Sequence, residues 1–565
     1  MPTHSRWKIP IPVCSLHKFL FKTETSPLPD KIAFYDADRP DTHHLSHESF
    51  RLWSLRFAAG LRKAGLQPGD RVLLFSGNNL YFPIVLMGIL MAGGIFTGAN
   101  PGFVARELAY QLKDADAKFL ICADGSLELG IEAAESIGWS KTRIFKFDDE
   151  LLEGTGGDRL GVKNWASLMA TDDEGRRFRW HEPNNPEDTT CCLNYSSGTT
   201  GVPKGVMITH YAYVANAIQY AHLSSLHPDH EERTKTSKWL CFLPFYHAMA
   251  QTIFIAGAVM RGIPVYIMKK FDFVKMLEAV QNYRITTLTM VPPIVVALAK
   301  SPLTKKYDLS SVRDIGSGAA PLGGEVIEEC EALWPTRDRR LTQGWGMTEA
   351  TCSLLGWDPT SVSIDPNSVG ELNANCSAKI MDADGKNEVP VGERGEIWVQ
   401  APNLMKGYWR NEPATREIFV DGPDGRWMRT GDIAYVNENG FFYIVDRMKE
   451  LIKVKGNQVA PAELEALLLE HPKVQDACVV GITINGGEVP RAYVVLQGGE
   501  KGSAKVEKEI RGWVEKRASK HKWLTGGVGF VDLIPKNPSG KILRKVMREK
   551  AKIEVGDKDP VQAKL

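Results

Sequence analysis

The run Tyr195-Ser-Ser-Gly-Thr-Thr-Gly-Val-Pro-Lys-Gly205 concentrates chemistry more densely than any other stretch of the chain. Its glycines, Gly198, Gly201 and Gly205, let the backbone turn tightly and come close to a ligand. Turned N–H groups, with the hydroxyls of Ser196, Ser197, Thr199 and Thr200, form a cradle for phosphate oxygens. Lys204 adds a compact positive charge for a polyphosphate. The common nucleotide loop places Ser or Thr directly after its lysine. Here Lys204 stands between Pro203 and Gly205, so the loop is of another kind. Gly, Ser, Thr and Pro also build ordinary surface turns. The order and density of this run favour a phosphate site.

Six further segments follow in a fixed order. They are Gly316-Ser-Gly-Ala-Ala-Pro-Leu-Gly323, Gln343-Gly-Trp-Gly-Met-Thr-Glu349 and Arg429-Thr-Gly-Asp432, then Asp446-Arg-Met-Lys-Glu-Leu-Ile-Lys453, Gly456-Asn-Gln-Val-Ala-Pro-Ala-Glu463 and Pro535-Lys-Asn-Pro-Ser-Gly-Lys541. With the phosphate loop, this set resembles the adenylate-forming enzymes: acyl-CoA synthetases, adenylation domains and luciferases. The branch it resembles most is that of the 4-coumarate–CoA ligase-like acyl-CoA ligases. The resemblance implies that ATP and CoA are co-substrates, that Mg2+ takes part, and that a carboxylic acid is activated as its acyl adenylate. It implies roles as well. Ser196, Ser197, Gly198, Thr199, Thr200, Gly201 and Lys204 would hold phosphates, with Gln343 and Gly344 beside the nucleotide. Trp345 would stack on adenine, Thr348 would contact the α-phosphate, and Glu349 would serve Mg2+. A carboxylate suits that hard cation. Asp432 and Arg447 would hold the ribose hydroxyls.

Two lysines divide the chemistry in this reading. Lys541 matches the lysine that supports adenylation, and Lys453 with Gln458 matches residues placed near nucleotide and acyl carboxylate. The family's small domain swings after adenylation and exchanges the Lys541 loop for the Gly456-Asn-Gln segment. Lys449 matches the hinge, where a backbone rotation is absorbed. Gly456 would let the pantetheine arm of CoA pass close to the backbone.

The segment Leu243-Pro-Phe-Tyr-His247 resembles the one whose histidine gates the acyl site. Tyr246, His247, Met249, Gly318, Ala319, Ala320, Gly346 and Thr351 are thereby expected around the acid. Phenylpropanoid enzymes usually carry a tyrosine where Met249 stands, and Thr351-Cys352 replaces their Gly-Pro. A flexible thioether favours apolar, irregular ligands over a hydroxylated ring. The acid expected is medium-chain, branched or non-phenolic aryl. The alternatives are 4-coumarate–CoA ligase proper and an adenylation enzyme that loads a carrier protein. A luciferase-like oxidation lacks its paired histidines in Tyr246-His-Ala-Met249. A non-catalytic nucleotide sensor would have lost Lys204, Glu349, Asp432, Lys453 or Lys541, and all are present.

Positioning these residues takes an α/β frame. A chain of 565 residues exceeds one compact core and divides into domains. Its net charge of +1 gives no general attraction for nucleic acid or anionic membrane. Nine scattered cysteines without a Cys-x-x-Cys pair suggest buried thiols in a reducing compartment and no zinc. Phe82 to Ala99 is nearly all apolar, but its proline and glycines fit a core helix followed by a strand better than a membrane span. Phe50–Ala64 reads as an amphipathic helix, and Arg71–Phe75, Phe119–Cys122, Val265–Ile267 and Thr287–Val291 read as strands. Such alternation predicts largely parallel sheets. The expected architecture is a large N-terminal domain of mixed α/β subdomains (1–446) and a small mobile α+β domain (447–565). In the small domain, Ala462–Leu469 reads as a helix, and Ala477–Ile482 and Ala492–Leu496 as strands. The chain closes on Ala563-Lys564-Leu565, which resembles the peroxisomal address read by the import receptor.

Overall fold

A computed structural model describes the chain except residues 1, 151–156, 197–201, 335–338, 362–363, 455–456, 485–486, 499, 538–539 and 556–565. Two mixed sheets carry the large domain. One has eight strands, built outward from Arg71–Phe75, whose neighbours Ile95–Ala99 and Ala117–Ala123 run parallel to it. The other has seven, with Trp239–Cys241, Val265–Ile267, Thr287–Met290, Asp314–Ser317 and Leu341–Gln343 all parallel. Between the sheets lies a continuous apolar core. The helix Phe82–Met91 is buried at every residue, which explains why it is apolar all round. Pro83 in its first turn starts it without a side-chain cap. Among the described residues no helix is long and apolar enough to cross a membrane. The helix His47–Lys63 starts where the Ser46 side chain accepts from the Ser49 N–H, and it ends in Arg62 and Lys63 against its C-terminal dipole.

A third sheet is antiparallel, a departure from the parallel pattern expected. Ser377–Met381, Gly395–Gln400, Gly425–Val436 and Phe442–Arg447 follow one another as neighbours. Short hairpin turns, such as Pro423-Asp424 between Gly422 and Gly425, make that topology natural. The smaller C-terminal domain has its own core. Its helix Pro461–Leu469 packs on the strand Val474–Ile484, which pairs with Gly487–Leu496.

Candidate active site

The phosphate run is the tip of a β-hairpin. Thr190–Ser196 and Lys204–Thr209 are antiparallel neighbours, and Ser196 stands opposite Lys204. Ser197, Gly198, Thr199, Thr200 and Gly201 lie outside the described residues. On the far side of Lys204–Thr209 sits the two-residue strand Gly407-Tyr408. That pairing brings the Lys204 ammonium 4.5 Å from the centre of the Tyr408 ring. The Tyr408 hydroxyl and the Ser196 hydroxyl both donate to Glu349 Oε1, at 2.9 and 3.0 Å. Tyr408 is a functional neighbour that sequence reading missed. Nothing in its spacing from Glu349 announces the contact, because sheet pairing alone creates it.

Glu349 lies in the short turn Thr348–Ala350 and is buried. The approach to that turn is crowded: a side chain on Gly346 would place its Cβ 1.7 Å from the Cys352 carbonyl oxygen. Thr351 holds φ +62°, and its hydroxyl donates to the Asn403 carbonyl at 2.8 Å. The expectation that Thr351 meets the acid is thereby corrected. The residue is fully buried and forms no part of the cavity wall, which Cys352 and Ser353 supply instead. Ala320 is also off that wall, whereas Gly318 and Ala319 are on it. Ala319 keeps a left-handed backbone at φ +73°, a strain of about 1–2 kcal/mol for a non-glycine residue. Gln343 lines the cavity, yet its amide serves the protein. Nε2 donates to the Leu322 and Pro366 carbonyls, and Oε1 accepts from the Leu322 N–H.

The ribose pair is built by register. Asp432 and Arg447 face each other across neighbouring strands of the third sheet, with Arg447 Nε 3.1 Å from Asp432 Oδ1. The Trp345 indole N–H donates to Asp432 Oδ2 at 2.9 Å. Trp345 is thus fixed by its edge while it lines the cavity with Gly344 and Thr348. Lys541 enters the same cavity from the small domain. Its backbone N–H donates to Asn537 Oδ1 at 2.9 Å, closing the loop that carries it. Burial, reinforced by Arg447 and opposed by Asp432, pushes the Lys541 ammonium down to about 8. Gly540 beside it has φ +79°, and a Cβ there would stand 3.1 Å from Val291 and Pro293 of the large domain. The loop is therefore docked. Lys453 and Gln458 are elsewhere: they pair across the hairpin Ile452–Val454/Asn457–Val459, both exposed, and the Lys453 N–H donates to Glu488. Gln458 borders a separate small cavity of ≈ 160 Å³. Gly456 lies outside the described residues, and Lys449 is exposed in the turn after Arg447.

The acid side opens beyond Gly318. A Cβ built there would lie 3.3 Å from the Met249 methyl, so Met249 rests directly on this glycine. Tyr246 and His247 follow in the wall, their rings 4.8 Å apart. Burial pushes the His247 imidazole down to about 4, which leaves it neutral near pH 7. The residues after Met249 form a π-helical turn, Gln251–Gly257, a geometry common at functional sites. Gln251 anchors it by accepting from Asn194 and Tyr213 and donating to the Phe245 carbonyl.

A family model described as AMP-binding enzyme matches residues 21–409, and one for the C-terminal domain of AMP-binding enzymes matches 463–541. The chain belongs to the AMP-binding enzymes. This AMP-binding enzyme is 37% identical to the phenylacetyl-CoA ligase of Aspergillus niger, over 96% of its own length and 98% of the relative's. It is also 37% identical to 4-coumarate–CoA ligase 1 of Petroselinum crispum, over 96% and 94%. Among solved structures, ATP-bound MatB from Rhodopseudomonas palustris superposes with a TM-score of 0.80 at 26% identity, over 96% and 99% of the two chains. The AMP-binding enzyme described here is accordingly an ATP-dependent acid–CoA ligase that works through an acyl adenylate.

Proposed function

We propose that this ligase activates a medium-chain, branched or non-phenolic aryl acid. Met249 seated on Gly318 carries the reading. A thioether is a weak acceptor and orients no phenol. A buried 4-hydroxyl without a partner would cost about 1–3 kcal/mol, whereas apolar groups gain roughly 0.8 kcal/mol per buried CH₂. A relative whose name specifies phenylacetate fits this choice. In the first half-reaction a carboxylate oxygen attacks the α-phosphorus and pyrophosphate leaves. Lys541 offsets the charge gathered there, while Asp432 and Arg447 hold the ribose. In the second, the CoA thiol sulfur attacks the acyl carbon, AMP leaves with the carboxylate oxygen, and the thiol proton passes to solvent. Neutral His247 lines the route without adding charge. Exchange of the Lys541 loop for the Gly456-Asn-Gln segment, by rotation at Lys449 just past the domain boundary at 446/447, separates the two steps.

Glu349 fits Mg2+. Its Oε1 is occupied by two hydroxyls, and Oε2 makes no hydrogen bond among the described residues. One carboxylate beside substrate phosphates suits this cation, whose part is to offset phosphate charge. The tail Ala563-Lys564-Leu565, outside the described residues, supports import into peroxisomes. Initial rates with hexanoate, phenylacetate, cinnamate and 4-coumarate test the acid class. The reading expects 4-coumarate to have the lowest kcat/KM, and a clear preference for it would refute the assignment.

A further inference from the structure

The cavity does not stop behind Met249. It totals ≈ 1130 Å³ and continues along the face of the parallel sheet. Its wall follows the strand Asp314–Ser317 from Gly318, at the nucleotide end, back to Asp314. Four residues of strand cover about 13 Å. Near the reacting carboxyl the wall is bare or apolar, made by Gly316, Gly318, Met249 and Ile253. Thr289 and Thr342 flank Gly316 on the neighbouring strands and line the middle. The far end is charged: Arg233, Arg261, Arg313 and Asp314 all border it.

These charges do not balance. Asp314 is engaged by Arg233 in a close ion pair. Among the described residues Arg261 reaches only the Ser224 and Thr234 hydroxyls, at 3.4 and 3.5 Å, beside the Trp239 ring. Arg313 donates to Thr236 Oγ1 at 2.9 Å and, more weakly, to the Arg233 carbonyl and Ser237 Oγ, while its Nε is buried with no partner among the described residues. Among the described residues neither Arg261 nor Arg313 has a carboxylate within ion-pair distance; Asp314 acts on both from further off, and Glu232 on Arg313, while Asp314 itself is held by Arg233. Burial lowers the proton affinity of both guanidinium groups. Holding half-buried guanidinium groups without a counter-charge is unfavourable, and a planar guanidinium matches a carboxylate with two hydrogen bonds.

We propose that this far end receives a second carboxylate, so that the preferred substrates are medium-chain α,ω-dicarboxylic acids. One carboxyl reacts beside Lys541, the methylene chain lies over Gly316 and Met249, and the other carboxyl meets Arg261 and Arg313. The inference rests on the acid–CoA ligase reading and refines its substrate class. Such a substrate joins the apolar channel required by Met249 to the basic end that the channel reaches.

The test compares decanedioate with decanoate, using hexanoate as a chain too short to reach the far end. Wild-type enzyme should favour decanedioate over decanoate by about tenfold or more in kcat/KM, the size expected for hydrogen bonds to a charged group. In Arg261→Gln and Arg313→Gln the ratio of decanedioate to hexanoate should fall by a similar factor. The wild-type comparison is independent of how the variants fold. Equal or better use of decanoate, with hexanoate turned over normally, would overturn the proposal. So would a rise in the KM for CoA, in place of that for decanedioate, in the variants. If no acid yields AMP, the ligase reading fails instead, and calorimetric titration with decanedioate still decides: binding that weakens in Arg261→Gln supports the site, and no binding to wild type rejects it.

Discussion

Removing the Lys541 ammonium should damage one half-reaction and spare the other. The group lies in the nucleotide cavity beside Arg447 and Asp432, on a loop docked against Val291 and Pro293. Loss of one preorganised donor at a developing charge costs about 10²–10³-fold, or roughly 2.7–4 kcal/mol. Lys541→Ala should therefore slow acid-dependent ATP–pyrophosphate exchange by that factor. Thioester formation from a supplied acyl adenylate should persist. The pH profile offers a second reading. With its pKa held at about 8, Lys541 is roughly nine-tenths charged at pH 7 and about one-tenth at pH 9. The charged form is the active one, so kcat/KM for ATP should fall about tenfold as pH rises through that window. Lys541→Arg, always charged, should flatten the fall even where its absolute rate is lower. Lys453→Ala should show the opposite bias and impair the second step more. Equal damage to both half-reactions in both variants would refute the division of labour.

Four other outcomes follow from the same geometry. Gly540→Ala forces a left-handed alanine against Val291, at about 1–2 kcal/mol, so exchange should drop roughly 5–30-fold while the thioester step survives; unchanged exchange would show that the docking is irrelevant. Asp432→Asn weakens its contacts with Trp345 and Arg447 and should raise the KM for ATP by about tenfold or more in initial-rate assays. Met249→Tyr should narrow the gap between apolar aryl acids and 4-coumarate in competition kinetics. A fluorescent fusion with a free Ala563-Lys564-Leu565 terminus should be peroxisomal and become cytosolic on its removal, as imaging would show.

Much of this was legible beforehand, for definable reasons. Arg71–Phe75 and Val265–Ile267 were recovered to the residue because buried parallel strands read as short apolar runs. Phe82–Met91 betrayed itself by length and by its proline. The antiparallel sheet was not foreseen, since strand pairing is a long-range choice that local composition does not encode. That sheet sets Asp432 opposite Arg447, so the motifs identified the pair while the register explains their meeting. Thr351 was placed around the acid by resemblance alone, which says nothing of which way a tight turn aims each side chain. Tyr408 and the basic far end of the cavity escaped for a related reason. Arg261, Arg313 and Asp314 look like ordinary charges until the sheet gathers them at one end of a channel.

The central claim, an acyl adenylate formed in the cavity shared by Lys541, Trp345 and Thr348, is tested most directly by isotope transfer. Acid labelled with oxygen-18 in its carboxyl group is turned over with ATP and CoA, and the products are analysed by mass spectrometry. Attack of the carboxylate on the α-phosphorus carries one labelled oxygen into AMP, and the account predicts labelled AMP with unlabelled pyrophosphate. Unlabelled AMP, or ADP with labelled phosphate, would contradict it.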